Sequence, residues 1–231
     1  MMRVGSSRRA SRNGGGSPLR VIAGLRPAAY YRWGIGIAVA GQGVASWGDV
    51  MSGFNRDLLQ GTDGARPPLQ SDNSILFNGT DEFLSVAWVN AQPITAYLLF
   101  KQISWTATDN ILDFNNGGTG NFVQAGTTPE IRMNFGSALS GQTLTLDTYG
   151  AACGVANGAS SSFQINNATP TTGDAGALTA DIITLGGAGS GGSNFSNIQA
   201  KELILFAAAH DAPSRGRVIR AGGKMTQTPI F

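Results

Sequence analysis

Short apolar runs separated by turn residues recur along most of the chain. Glu130–Phe135 alternates polar and apolar residues with a period of two, which is typical of a strand with one buried face. Ile94–Lys101 is a longer run of large apolar residues and predicts a buried strand. Similar runs predict strands within Leu25–Trp33, Gly43–Asp49, Ser74–Phe77, Glu82–Val86, Asn110–Phe114, Asn121–Gln124, Leu144–Leu146, Ala151–Ala156, Ser162–Ile165, Ile182–Leu185 and Gln199–Phe206. The pattern therefore predicts an all-β protein with two packed sheets.

The phase of these strands also predicts a core. The inward positions carry large aromatic side chains at Trp47, Phe77, Phe83, Phe100 and Phe206. The chain has 231 residues, of which 42% are hydrophobic and 13% charged, and a sandwich of this length is commonly one domain. With a single cysteine there is no intrachain disulfide, so stability must come from packing.

Two segments depart from the strand pattern. Ser214–Gly222 predicts one short helix near the C-terminus, which ends at a pair of glycines. Residues 1–24 predict an extended arm, because Pro18 and the glycines argue against a helix there. We therefore divide the chain into an arm over residues 1–24 and one domain over residues 25–231.

Three blocks of sequence carry a family resemblance. They are Val44–Gln60 with its Ser-Trp-Gly-Asp start, Arg66-Pro67 followed by Ile75–Leu84, and the closing strands around Ile183–Gly187 and Lys201–Phe206. Together they resemble concanavalin A-like (laminin G-like) domains, in the form seen in phage virion structural proteins, over residues 26–222. The resemblance implies a two-sheet jelly-roll sandwich, and its motifs are signatures of the fold and not of a catalytic site.

Charge is unevenly distributed. Residues 1–48 carry +7 without an acidic side chain, residues 49–200 carry −8, and residues 201–231 carry +3. Such an arm is either a solvated tail or a segment that docks on an acidic surface of a partner or of a neighbouring copy. We predict the second, with contacts from the arginines of the arm, namely Arg3, Arg8, Arg9, Arg12 and Arg20.

Candidate catalytic groups are few. We expect His210 to be a surface or capping residue and Cys153 to be a small buried apolar side chain. Asp109 and Asp113 could share a strand face as the two carboxylates of a glycosidase do, whereas Asp81 and Glu82 would face opposite sides. We interpret these carboxylates as turn and strand-end groups in polar surroundings.

The sequence also lacks strong metal and phosphate signals. Loop acids at Asp72, Asp81, Asp109 and Asp113 could bind Ca²⁺, but no calcium-loop motif is present. The loop Gly186–Gly192 lacks the Lys-Ser/Thr of a phosphate loop and predicts a flexible connection. We expect no catalytic residue, metal or cofactor, and no enzymatic activity.

These observations favour a binding protein. The resemblance implies a virion structural protein, located in the virion, with a capsid decoration (cement) protein as the first prediction. Its partners would be the major capsid protein or other virion subunits, with further copies of itself in the assembly. The alternative is a phage tail or fibre module that binds host glycans through sandwich loops. No apolar run is long enough for a membrane span, and no basic–aromatic pattern supports nucleic-acid binding.

Overall fold

The computed structural model describes residues 17–51 and 56–230. Sixteen strands form two sheets in which every strand pair is antiparallel. The seven-stranded sheet contains β1 (Ala29–Tyr31), β5 (Ile75–Asn78), β7 (Ile94–Gln102), β12 (Gly150–Ala156), β13 (Ser161–Ile165), β14 (Thr171–Gly173) and β16 (Asn197–Phe206). The nine-stranded sheet contains β2 (Ile37–Ala40), β3 (Gly43–Trp47), β4 (Leu58–Leu59), β6 (Leu84–Asn90), β8 (Asn110–Asp113), β9 (Gly120–Gln124), β10 (Glu130–Phe135), β11 (Gln142–Thr143) and β15 (Ala180–Leu185).

The strand order joins elements that are distant in sequence. The nine-stranded sheet runs β11-β10-β9-β8-β15-β6-β4-β3-β2. The seven-stranded sheet runs β1-β16-β7-β12-β13-β14, and β5 also pairs with β16. Two antiparallel sheets packed face to face confirm the predicted all-β sandwich.

The main core lies between the two sheets. Of the five aromatic residues predicted to be buried, Trp47, Phe77 and Phe100 are fully inaccessible and lie in this core. Phe206 is also buried, but in a second cluster on the outer face of the seven-stranded sheet. The prediction is wrong for Phe83, which is only half-buried and packs against Phe195 beside the core.

Two helices cover that outer face. They are α1 (Pro18–Gly24) and α2 (Ala212–Met225). The expectation that residues 1–24 contain no helix is wrong, because Pro18 occupies the first turn, where its missing N–H costs no hydrogen bond. Ile22 is buried in the second cluster, so α1 packs on the sandwich. Residues 1–16 lie outside the described part of the chain.

The C-terminal helix is longer than the segment predicted for it. Asp211 accepts a hydrogen bond from the Ser214 backbone N–H at 2.9 Å and caps the helix start. Neither described helix is long and apolar enough to cross a membrane.

The single histidine lies inside the second cluster and not at the surface. The prediction for His210 is therefore wrong: its Nδ1 lies 2.7 Å from the Tyr97 hydroxyl, and its ring packs on Phe206 with centroids 4.1 Å apart. Burial lowers the pKa of His210, which favours the neutral ring. The prediction for Cys153 is confirmed, since its thiol is fully buried and burial raises its pKa to about 12.

Candidate functional site: an asparagine-lined pocket

The outer face of the nine-stranded sheet carries a pocket lined by side-chain amides. On β9, Phe122 points into the core, so its neighbours Asn121 and Val123 face outwards. On β10 the same alternation directs Arg132 and Asn134 outwards. The register places Asn134 opposite Asn121 and Arg132 opposite Val123, so the four side chains share one face.

A neighbouring strand and a loop complete the pocket. Asn110 of β8 pairs with Val123, and Asn194 lies at the rim, where its Nδ2 donates to the Thr108 carbonyl at 2.9 Å. The resulting cavity is about 270 Å³, near the lower end of small-ligand pockets. We call it the asparagine pocket; its lining is Thr108, Asn110, Gly118, Asn121, Val123, Ala125, Arg132, Asn134, Ala138 and Asn194.

Asn121 is the polar centre of this pocket. It is only 3% exposed, and its Nδ2 donates to the Asn110 Oδ1 and to the Gly118 carbonyl, both at 2.7 Å. Its own Oδ1 is buried without a hydrogen-bond partner. A buried acceptor left unpaired costs about 1–3 kcal/mol of folding stability.

A second cavity of about 220 Å³ adjoins the first at Gly118. One wall is the turn Asn116–Gly118, and the other is the glycine-rich loop that includes Gly189 and Ser190. The loop is anchored: the Asp113 Oδ2 accepts from the Gly189 N–H at 2.6 Å, and the Thr184 hydroxyl donates to the Gly189 carbonyl. These bonds correct the expectation of a flexible connection.

Asp109 and Asp113, the two carboxylates that could share a strand face, lie outside both cavities. Asp113 is buried and also accepts from the backbone N–H groups of Phe114 and Asn115, so its role is to hold the loop and turn. Asp109 is partly buried, and neither carboxylate lines the asparagine pocket or the adjoining cavity. Within residues 17–51 and 56–230, no three His, Cys, Asp or Glu side chains are grouped so that they could hold a metal ion.

Several carboxyl groups lie in less polar surroundings than the sequence predicted. Burial raises the pKa of Asp113 to about 6 and the pKa values of Glu82 and Glu202 to about 7. Glu82 accepts from the Asn78 N–H on the surface, and Glu202 lies under α2. The prediction of polar surroundings is therefore wrong for Asp113 and Glu82, and none of the three carboxyl groups lines the asparagine pocket.

Of the five predicted contact residues of the arm, the structure describes one. Arg20 is exposed on α1, whereas Arg3, Arg8, Arg9 and Arg12 lie outside the described residues. The asparagine pocket was not predicted. The available sequence signal was a repeated asparagine at outward strand positions, but only the strand register shows that these residues meet.

Comparisons with known proteins identify the fold and no family. No protein-family model matches the chain, and no curated protein matches it. A Trypanosoma rangeli sialidase in complex with sialic acid is similar in structure, with a TM-score of 0.57 and 15% identity over 85% of this chain and 32% of that one. A GH54 α-L-arabinofuranosidase soaked with a cyclic sulfate inhibitor has a TM-score of 0.58 and 10% identity, covering 79% of this chain and 51% of the enzyme.

The chain thus spans about a third of the sialidase and half of the arabinofuranosidase. The prediction of no enzymatic activity, which was made from the residues present, is contradicted by this likeness. Both similar structures are glycosidases, so the likeness points towards a glycoside hydrolase fold. At these identities the likeness shows the fold alone. The chain is a β-sandwich similar to parts of a sialidase and an arabinofuranosidase.

Proposed function

We propose that this chain is a carbohydrate-binding β-sandwich module and that the asparagine pocket is its sugar site. The single observation that carries the proposal is the convergence of four asparagine side chains on one outward-facing pocket, namely Asn110, Asn121, Asn134 and Asn194. Sugars present closely spaced hydroxyl groups, each able to donate and accept a hydrogen bond. Side-chain amides offer both functions and suit such a ligand.

Four further observations support a sugar over other ligands. The charged side chain of the lining is Arg132, and its Nε donates to the Glu130 Oε1 at 2.6 Å, so this ion pair leaves a pocket that suits a neutral sugar. The two similar structures described above are glycosidases, one of them in complex with sialic acid. The small wall residues Val123, Ala125 and Ala138 let a sugar ring approach the amides closely. A cavity of this size holds one sugar unit and not a long segment of polymer.

A larger side chain inside the asparagine pocket should weaken glycan binding. We predict that Val123→Met lowers the affinity for a bound glycan by about tenfold or more, because the longer side chain occupies the space in front of Asn121. The measurement is a glycan array that includes sialylated, arabinofuranosyl and bacterial capsule or lipopolysaccharide glycans, followed by calorimetric titration of the glycans that bind.

Val39→Met is the matched control. Val39 is 56% exposed on β2, at the other end of the same sheet, so the identical change there leaves the pocket intact. The proposal fails if no glycan binds, or if both variants bind the glycan as the unchanged protein does.

We also propose a setting for this module: a phage virion structural protein, either a capsid decoration protein or a tail or fibre part. The tail or fibre setting agrees with a sugar site. The decoration setting is supported by the arginines before α1, because residues 1–16 carry four of them and no acidic residue. Under this proposal the arm contacts the major capsid protein or other virion subunits.

Removal of residues 1–16 should separate folding from assembly. We expect the truncated protein to keep its circular dichroism spectrum, because α1 and its buried Ile22 remain. Its copy number in purified particles should fall below detection, because four of the five contact arginines of the arm are gone. Normal occupancy of the particles by the truncated protein would rule out an anchoring arm.

A further inference from the structure

The two helices present a basic surface away from the sheet. Their inner faces bury Ile22, Val218 and Ile219 in the second cluster. Their exposed side chains include Arg217, Arg220 and Lys224 on α2 and Arg20 on α1. Neither helix contains an acidic residue between its first and last positions. The result is a predominantly basic patch on an otherwise acidic body, with Asp211 at the start of α2 as the acidic side chain that interacts with Arg217.

A groove runs along this patch. One cavity of about 170 Å³ lies between the helices, with Pro18, Val21 and Ala221 among its walls. A second, of about 430 Å³, extends towards Pro229 and Ile230. Both cavities are lined by Arg220 and Lys224, so the two cations stand where the cavities adjoin.

These two cations have no carboxylate partner among the described residues. They are four positions apart on α2, and like charges at this spacing destabilise a helix. Arg217, three positions before Arg220, adds to the repulsion and donates only to the neutral Ser214 hydroxyl at 3.1 Å. Packing does not require the three charges, since all three side chains are exposed.

We infer that this groove binds an acidic polypeptide segment of a partner protein. Its carboxylates would pair with Arg220 and Lys224. Apolar side chains between them would lie on Val21, Ala221 and Ile230. Among the described residues, the walls of both cavities carry no aromatic side chain on which a base could stack, which favours a polypeptide over a nucleic acid. This site is separate from the asparagine pocket, so either proposal can fail without the other.

The test uses the full-length protein and a short fluorescent peptide of repeating Glu-Glu-Leu. Fluorescence anisotropy should show saturable binding that weakens with added salt. Arg220→Glu should weaken it by about tenfold or more, because it replaces an attraction by a repulsion. Lys224→Glu should do the same, and both variants should keep the unchanged circular dichroism spectrum.

Arg26→Glu is the matched control, because Arg26 is exposed and lines neither cavity. It makes the same change in net charge and should leave the affinity nearly unchanged. The inference is overturned if Arg26→Glu weakens binding as much as Arg220→Glu does. It is also overturned if a Gln-Gln-Leu peptide binds equally well, or if single-stranded DNA of similar length binds more tightly than the acidic peptide.

Discussion

Replacing Phe100 by Ala should lower the free energy of unfolding by about 3–5 kcal/mol, the usual cost of removing a buried phenylalanine. Phe100 lies on β7 in the middle of the seven-stranded sheet, and its side chain is fully inaccessible. Its partners on the flanking strands are Gly150 and Ala200, which are too small to fill the cavity. Urea denaturation followed by fluorescence would measure the loss.

Phe83→Ala is a control with identical chemistry. Both phenylalanines are predicted to be buried from the sequence, but Phe83 is half-buried beside Phe195. We expect its replacement to cost clearly less than that of Phe100. A loss below about 1 kcal/mol for Phe100→Ala would contradict the placement of β7 at the centre of the core.

The free energy of unfolding should fall by about 3 kcal/mol as the pH rises through the titration of Glu202, and changing Glu202 to Gln should remove this loss. Glu202 is fully buried beneath α2, where Tyr30 donates its hydroxyl hydrogen to one carboxyl oxygen and the other oxygen has no partner. Burial raises the pKa of Glu202 from 4.5 to about 7. The folded protein therefore favours the protonated acid.

The pKa values of Glu202 in the folded and unfolded states determine whether stability rises or falls with pH. Below pH 4.5 the carboxyl group is protonated in both states, and its contribution to stability is complete. Between pH 4.5 and about 7 the unfolded chain releases the proton while the folded chain retains it, so stability falls as the pH rises. Glutamine does not titrate, so the free energy of unfolding of the variant does not change with pH through this group.

Urea denaturation at several pH values would test this expectation. Glu82→Gln is the control, because Glu82 also has a pKa raised to about 7 but lies half-exposed, where solvent weakens the effect. We expect Glu202→Gln to flatten the dependence on pH more than Glu82→Gln does. Equal slopes for Glu202→Gln and the unchanged protein would show that the buried carboxyl group does not titrate as described.

Regular alternation made much of the sandwich predictable. Glu130–Phe135 alternates in sequence and shows the same alternation of burial as β10. β7 was predicted as buried because its residues are almost all apolar, and both faces prove to be covered, one by the opposite sheet and one by the helices. Where a strand has a clear period or a continuous apolar run, local sequence is sufficient.

Short elements and distant contacts were not predictable in this way. β2 and β14 have three or four residues and no clear period, so they were missed. Pro18 was interpreted as a residue that excludes a helix, but it lies in the first turn of α1, where proline is tolerated. His210 is buried because it meets Tyr97, which is 113 residues away in sequence. Local pattern contains no information about such a contact.

The asparagine pocket escaped prediction for the same reason. Asn110, Asn121, Asn134 and Asn194 come from three strands and a loop, and asparagine is common in turns of any β protein. The register that places Asn134 opposite Asn121 is a property of the folded sheet. The candidate groups identified in the sequence were carboxylates, whereas most polar side chains of the pocket lining are amides.

The most direct test of sugar binding at the asparagine pocket is a nuclear magnetic resonance titration. The ¹⁵N-labelled protein would be titrated with a glycan that binds on the array, and the side-chain NH₂ signals of its asparagines would be followed. We predict saturable shifts for Asn110, Asn121 and Asn134, and no shift for Asn157, which lies beyond β12 in the other sheet. Shifts at Asn157 with none at the three pocket asparagines would contradict a sugar site in this pocket.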